Sequence, residues 1–442
     1  MNKGKKDLFT PIVPEKKLGN GFRQLTSNIN MDEPTRNMMN EVFSCFPDSD
    51  GNFVEQFQTT GFDARTFELY LYAYFQNSGY EIDRNFDRPD FIIQKNGLRV
   101  AVEATTTNPT AGKINIDNQE ELTKEKLEYK LTQELPIKFG SPLFSKLQKR
   151  YWELEHCKEI PFVLAIEAFH ESSSLEYSSS SLIQYLYGER DKGYINEEGK
   201  LVVEQEKIYE HKVGDKKIPS GFFYQPNVEN ISAIIFSNSG TTAKFKRMGY
   251  QKGLYTTYMK VMRRGFAYDY NLNALSPEGF VYDLDERSNE SWGEGLVVCL
   301  NPNAKYPLPH NFFIDAAQYY KVDDKTVADI VGFHPYNSQT FTFCSEYEKE
   351  IPPQGVRTLY KSELNDLVSN LSVLPFATER EWYVTLDYSI IGLILLDETD
   401  KTWNYVCLEK KGNQYEAVSI EIDFKELSEV RSKLFGRMLS AS

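Results

Sequence analysis

The sequence predicts an α/β fold built on a mixed sheet, and three stretches of its 442 residues carry that prediction. The run RPDFIIQKNGLRVAVEATTTNP, from Arg88 to Pro109, holds two apolar segments on either side of Asn96-Gly97, the pair that suits a two-residue hairpin turn. PFVLAIEAF, from Pro161 to Phe169, is almost unbroken in apolar residues, the pattern of a strand buried on both faces. Ahead of both, DARTFELYLYAYFQNSG sets Phe67, Leu71, Tyr74 and Phe75 at near-helical spacing.

Taken in order, residues 1–60 read as an N-terminal arm against the core, helical near Glu33 to Phe46. The helix that follows is expected to be capped by Asp63 and stopped by Gly79. YEIDRN, DFIIQK and LRVAVEAT read as three strands, the last two joined by the Asn-Gly turn. Glu120 to Glu155 reads as helix, broken or kinked at Pro136 and around Gly140-Ser141-Pro142. The apolar strand of Pro161 comes next. Ser172 to Lys217 is a polar insertion with one short helix, SLIQYLYG, and NISAIIFSN is a second buried strand. Ala267 to Pro353 alternates short strands with loops. After Glu379 a strand meander and a closing amphipathic helix form a small α+β domain. The division expected is an arm over 1–60, a core with insertions over 61–375 and a C-terminal domain over 380–442.

Such a length exceeds the usual single core, so two or three domains are expected. The formal charge of −14 argues against a protein that coats nucleic acid non-specifically, although a local basic groove stays compatible with it. Five scattered cysteines without a CxxC pair indicate neither a disulfide framework nor a zinc site, and fit a reducing cytoplasm. The N-terminus shows no apolar targeting region, and the longest apolar run, Ile390 to Leu396, is too short to span a bilayer. GxxxxGK[ST] and GxSxG are absent, which removes support for P-loop and α/β-hydrolase chemistry. His170, His310 and His334 stand alone, without metal-ligand spacing.

The chemistry-bearing feature is a pair of acids. Side chains alternate along a strand, so Glu103 and Thr105 share one face of LRVAVEAT. Asp90, at the start of the neighbouring strand, faces them. Two carboxylates meeting across a hairpin suit a hard divalent cation, Mg²⁺ or Mn²⁺. The plain alternative is a hairpin whose acids face water.

Pro89-Asp90, the VEA strand and the order helix, three strands, helix, strand resemble the core of the PD-(D/E)XK (restriction-endonuclease-like) nuclease superfamily, in a bacterial branch with E-x-T where the family has (D/E)-x-K. The resemblance covers roughly residues 60–170 by motif. It implies an αβββαβ core and a Mg²⁺-dependent endonuclease or phosphodiesterase, with Asp90 and Glu103 on the metal. It also implies a lysine where Thr105 stands. The next helical segment offers Lys138, Lys146, Lys149 and Arg150, of which Lys146 is the expected substitute. Gln148 and Tyr151 there resemble the Gln/Tyr motif of the RecB-like branch. Glu68, on the preceding helix, is a third acid that could assist; it equally suits that helix's polar face.

A second feature is a window without acids between Glu229 and Asp269. It contains Lys244, Lys246, Arg247, Lys252, Lys260, Arg263 and Arg264, interleaved with Tyr250, Tyr255 and Tyr258. Lys244, Lys246, Arg247, Lys252 and Tyr250 are the expected nucleic-acid contacts. The alternative is a basic helix face paired with acids elsewhere. The leading expectation is a cytoplasmic nuclease acting on DNA, with defence against foreign DNA a context that rests on analogy. The competing one is an inactive module of the same fold that binds nucleic acid or a protein partner. DNA against RNA, sequence specificity and oligomeric state, a homo-oligomer included, are left open by the sequence.

Overall fold

The computed structural model describes residues 7–28, 30–48, 51–107, 123–169, 175, 179–285, 288–344, 351–368 and 377–440. Helices α1 (Asn20–Ser27), α2 (Glu33–Cys45) and α3 (Phe53–Gln58) precede the long helix α4 (Phe62–Asn77). Strands β1 (Glu81–Asp83), β2 (Phe91–Lys95) and β3 (Leu98–Thr107) follow, then α5 (Lys124–Tyr129), α6 (Leu135–Lys149) and β4 (Phe162–Ala168). Helix α7 (Ser180–Tyr187) leads into two small hairpins, β5 (Glu189–Ile195) with β6 (Leu201–Lys207) and β7 (Glu210–Val213) with β8 (Lys216–Pro219). Next come β9 (Ala233–Phe236), α8 (Thr242–Gln251), β10 (Met259–Ala267), β11 (Glu278–Asp283) and β12 (Val297–Leu300). Strands β13 (Ala317–Val322), β14 (Lys325–Asp329) and β15 (Pro335–Cys344) complete the middle of the chain. The last part holds β16 (Val356–Thr358), α9 (Lys361–Leu367), β17 (Ala377–Thr385), β18 (Ile390–Asp397), β19 (Trp403–Lys411), β20 (Gln414–Phe424) and α10 (Leu427–Ser440).

The fold is mixed α/β. Its centre is an eight-stranded sheet in the order β1-β2-β3-β4-β9-β12-β13-β14, parallel at β3-β4, β4-β9 and β12-β13 and antiparallel elsewhere. Alternation along the strands sends Val100, Val102, Val163, Ala165 and Ile235 to one face, packed on α4 and the N-terminal helices. Ala101, Leu164, Ile166 and Ile234 go to the other face, under α6 and α7. Both faces are covered, which explains why β4 is apolar almost throughout. Residues 7–60 are integral to the first of these cores: Phe22, Phe43, Phe53 and Phe57 are buried in it.

Two expectations shift in detail. Gly61 occupies the N-cap of α4 and Asp63 lies in its first turn. Gly79 does sit past the helix end, with φ +73°. Helix α6 runs through Pro142 instead of breaking there, because Leu135, Phe139, Leu143 and Leu147 keep one stripe pressed on the sheet. A five-residue π-helical turn, Lys130–Glu134, joins it to α5.

A three-stranded antiparallel sheet, β11-β10-β15, and a five-stranded one, β16-β17-β18-β19-β20, make up the rest. The C-terminal sheet draws its edge strand from Val356–Thr358, upstream of the expected domain boundary. Its core includes Tyr250, Tyr255, Met259 and Val261, so the two parts share apolar surface. No helix among the described residues is long and apolar enough to cross a membrane.

Candidate active site

The site grows out of the β2-β3 hairpin. Asn96 and Gly97 both adopt positive φ, 52° and 80°, and close the two-residue turn expected of that pair. The register then sets Phe91 opposite Val102, which leaves Asp90 level with Glu103. The two acids are clasped through the backbone. The Asp90 amide donates to Glu103 Oε2 at 3.2 Å, and the Ala104 amide donates to Asp90 Oδ2 at 2.8 Å.

Glu103 is buried and looks toward the α6 side of the sheet, opposite in sense to Val100 and Val102. From α6 the Lys146 ammonium donates to Glu103 Oε1. Thr105, two residues further along β3, is half-buried and paired in register with Ile166. Its hydroxyl brings no charge; Lys146 does. Burial pulls the Lys146 pKa down, but Glu103 and, behind it, Asp90 more than reverse this, so the ammonium stays protonated at neutral pH. Burial and the neighbouring Glu103 raise the Asp90 carboxyl to about 6, against the counter-pull of Lys146, the Ala104 amide and Arg84.

Glu68 is brought to the same neighbourhood, close enough that Asp90 raises its pKa further beyond the effect of burial. It is not solvated. Arg65, one turn away on α4, and Arg84, at 2.6 Å, both hold its carboxylate. Arg84 lies between the rings of Phe46 and Phe91, 4.1 and 4.8 Å from their centroids. Arg65 could have been read from its i,i+3 spacing to Glu68. Arg84 could not, since no local pattern links it to that acid. The loop between β1 and β2 is further held by His156, whose ring stacks on Phe86 at 3.8 Å and whose Nε2 meets the Arg88 carbonyl at 2.6 Å.

Lys138 and Lys149 also lie on α6. Arg150 takes the left-handed C-cap of α6 and pairs with Glu153. Gln148 is exposed, and Tyr151 lies under the Arg88 guanidinium at 5.7 Å.

The acid-free window is corrected by the fold. Lys244 and Arg247 are 0% and 2% exposed, which leaves neither of them surface to offer a phosphate. Both close on Glu290: Lys244 Nζ at 2.6 Å, Arg247 Nε at 2.7 Å and Nη2 at 2.8 Å. Arg263, also buried, donates to Glu294 and to Ser338 Oγ. Burial alone would raise Glu290, but Arg247, Lys244 and Arg263 drive its pKa far below the carboxylate range. Lys246 pairs with Asp32 at 2.8 Å and Lys252 with Glu41 at 2.7 Å, both tying α8 to the α2 segment. Tyr250 is buried and stacks on Tyr255 at 4.9 Å. At Lys244, Lys246, Arg247 and Lys252 the missing acids are supplied by distant segments.

The histidines play supporting parts. His334 is buried, its pKa lowered to about 4, and packs edge-on against Tyr336. His310 packs edge-on against Tyr320. His170 lies outside the described residues.

A further acid is buried on β4, marked by no local pattern. Glu167, near the end of β4, is 0% exposed, and neither carboxylate oxygen makes a hydrogen bond of good geometry. The Gly240 backbone abuts it so closely that a Cβ there would fall 2.2 Å from Oε2. Burial raises its pKa well above the ordinary value; the Gly240 amide eases this and Asp63 adds to it.

Among the described residues no three His, Cys, Asp or Glu side chains converge as a metal-holding group. Asp90 and Glu103 are two carboxylates, the number through which Mg²⁺ or Mn²⁺ is commonly bound while keeping several waters. No protein-family model, no curated protein and no solved structure matches the chain.

Proposed function

We propose that this protein is a metal-dependent phosphodiesterase of the PD-(D/E)XK kind that hydrolyses nucleic acid, with DNA the expected substrate. One observation carries the reading: Lys146 reaches Glu103 from the adjoining helix, beside Asp90, on a strand that offers Thr105 instead of lysine. Two acids and one cation from three separate segments then stand together, as the resembled core requires.

The roles follow from the chain's own groups. Asp90 and Glu103 would hold Mg²⁺ or Mn²⁺, which when bound polarises the scissile phosphate and lowers the pKa of an attacking water. The backbone clasp between the acids fixes their mutual orientation before any ion arrives. Lys146 keeps its proton and offers its charge to a phosphate oxygen gaining charge in the transition state. Glu68 is a positioning residue: it anchors Arg84, the first residue of the loop that leads to Asp90.

A second reading, a catalytically silent module of the same fold, has its own support. Both Glu103 oxygens are already engaged, one by Lys146 and one by the Asp90 amide. Incubation of plasmid and linear DNA with Mg²⁺ or Mn²⁺, comparing wild type with Asp90→Ala and Glu103→Ala, separates the two. Cleavage by the wild type that both variants lose supports the enzyme. Intact DNA under either metal, with DNA binding retained, overturns it.

A further inference from the structure

The three-stranded sheet β11-β10-β15 has one face turned inward and one to solvent. Inward, Met259 and Val261 join the C-terminal core and Arg263 enters the Glu290 network. Outward, alternation along β10 presents Lys260, Met262, Arg264 and Phe266. In register with these lie Phe343, Phe341, Gln339 and Asn337 on β15, and Asp283, Val281 and Gly279 on β11. Phe266, Val281 and Phe343 are 51%, 66% and 56% exposed. A groove of about 470 Å³ runs across this face past Arg264, Phe266, Val281 and Gln339. At Phe266 and Asn337 it meets a larger cavity of about 940 Å³ that Tyr268 and Tyr336 also line.

We propose that this sheet face is a stacking platform for single-stranded nucleic acid. The choice of nucleic acid as occupant rests on the reading of the acid site, and charge on the face itself agrees with it. Asp283 is the one acid among the outward positions, and Lys260 neutralises it at 2.8 Å. Arg264 remains, with no carboxylate partner among the described residues. Its guanidinium bonds Gln339 Oε1 and rests 4.8 Å from the Phe341 centroid. Among the described residues these outward strand positions therefore carry a net positive charge, on a chain whose total is −14. Its apolar content is largely aromatic, and rings two residues apart on β15 stand about 7 Å apart from the rise of a strand. Phenylalanines set side by side with an arginine offer base-stacking surfaces and a phosphate contact at once, without reading sequence.

The test is equilibrium binding of a labelled oligothymidylate to the full chain in EDTA, where no cleavage intervenes. Phe266→Ser with Phe343→Ser is expected to weaken binding by about tenfold or more. Phe343→Tyr, which keeps a ring, is expected to bind like wild type. Arg264→Glu is expected to reduce the salt slope by about one. All three positions are exposed, and thermal melting checks that each variant is folded. A duplex probe should bind more weakly, since its base faces are already stacked. Absence of wild-type binding, an unchanged double variant, or duplex bound as tightly as single strand each overturns the platform. So does a double variant that alters only self-association in sedimentation. Binding in EDTA does not call on Asp90 or Glu103, so failure of the platform and failure of the phosphodiesterase give different results.

Discussion

Lys146 donates to Glu103 across 43 residues of sequence, a helix supplying the cation that the strand itself lacks. Lys146→Ala should therefore lower the cleavage rate by about 10²–10³-fold, the scale seen when one preorganised donor to developing charge is removed. Thr105→Lys on that background should recover part of the loss, since Thr105 shares the strand face of Glu103. Single-turnover cleavage measures both. A Lys146→Ala protein as fast as wild type removes the residue from the mechanism.

Metal binding should be linked to protons through Asp90. Its carboxyl is raised to about 6, so below that pH it holds a proton and above it the charged form is available. Affinity for Mn²⁺ should accordingly rise as pH climbs through about 6, with proton release on binding at acid pH. Calorimetry in two buffers of different ionisation enthalpy reads the proton count directly. Identical heats in both, near pH 6, would contradict the assignment.

Glu290 is a structural keystone. It neutralises Lys244 and Arg247 in the interior, with Arg263 3.6 Å away. Glu290→Gln leaves those cations buried and uncompensated, which should destabilise the fold by about 3–5 kcal/mol. Urea unfolding gives the value, and a loss below about 1 kcal/mol would mean that water already reaches the cluster.

Glu167 predicts a pH effect of defined sign. Its folded pKa is raised well above 4.5, so the native chain retains a proton that the unfolded chain releases. Stability therefore falls as pH rises above about 4.5, because charging the carboxyl in the core is unfavourable. Glu167→Gln should flatten that decline and be the more stable protein at alkaline pH. Melting curves of both proteins across the range decide it, parallel profiles counting against a buried neutral acid. Gly240→Ala should destabilise, since its Cβ would lie 2.2 Å from Glu167 Oε2 and 2.8 Å from the Phe67 ring.

Much of the architecture was legible because its signals are local. The Asn96-Gly97 turn sets the hairpin register, and the register brings Asp90 level with Glu103. The apolar run at Pro161 marks β4, and helical spacing around Phe67 marks α4. Lys146 meets Glu103 because it follows Leu143 by three and lies beside the buried stripe of α6.

Pairing over long distances was not legible. A window free of acids reads as a basic surface until tertiary packing delivers Glu290, Asp32 and Glu41 to it. Pro142 reads as a break or a kink, and four apolar neighbours hold the helix continuous through it against the sheet. Glu167 reads as one polar residue in a strand until Gly240 and α4 close over it. By itself the sequence determined the elements, the hairpin and the two acids, all of which depend on neighbours in the chain. Only the tertiary structure decided which charges are buried, which are paired and which face water, because desolvation and Coulomb attraction act between groups that the chain alone does not place together.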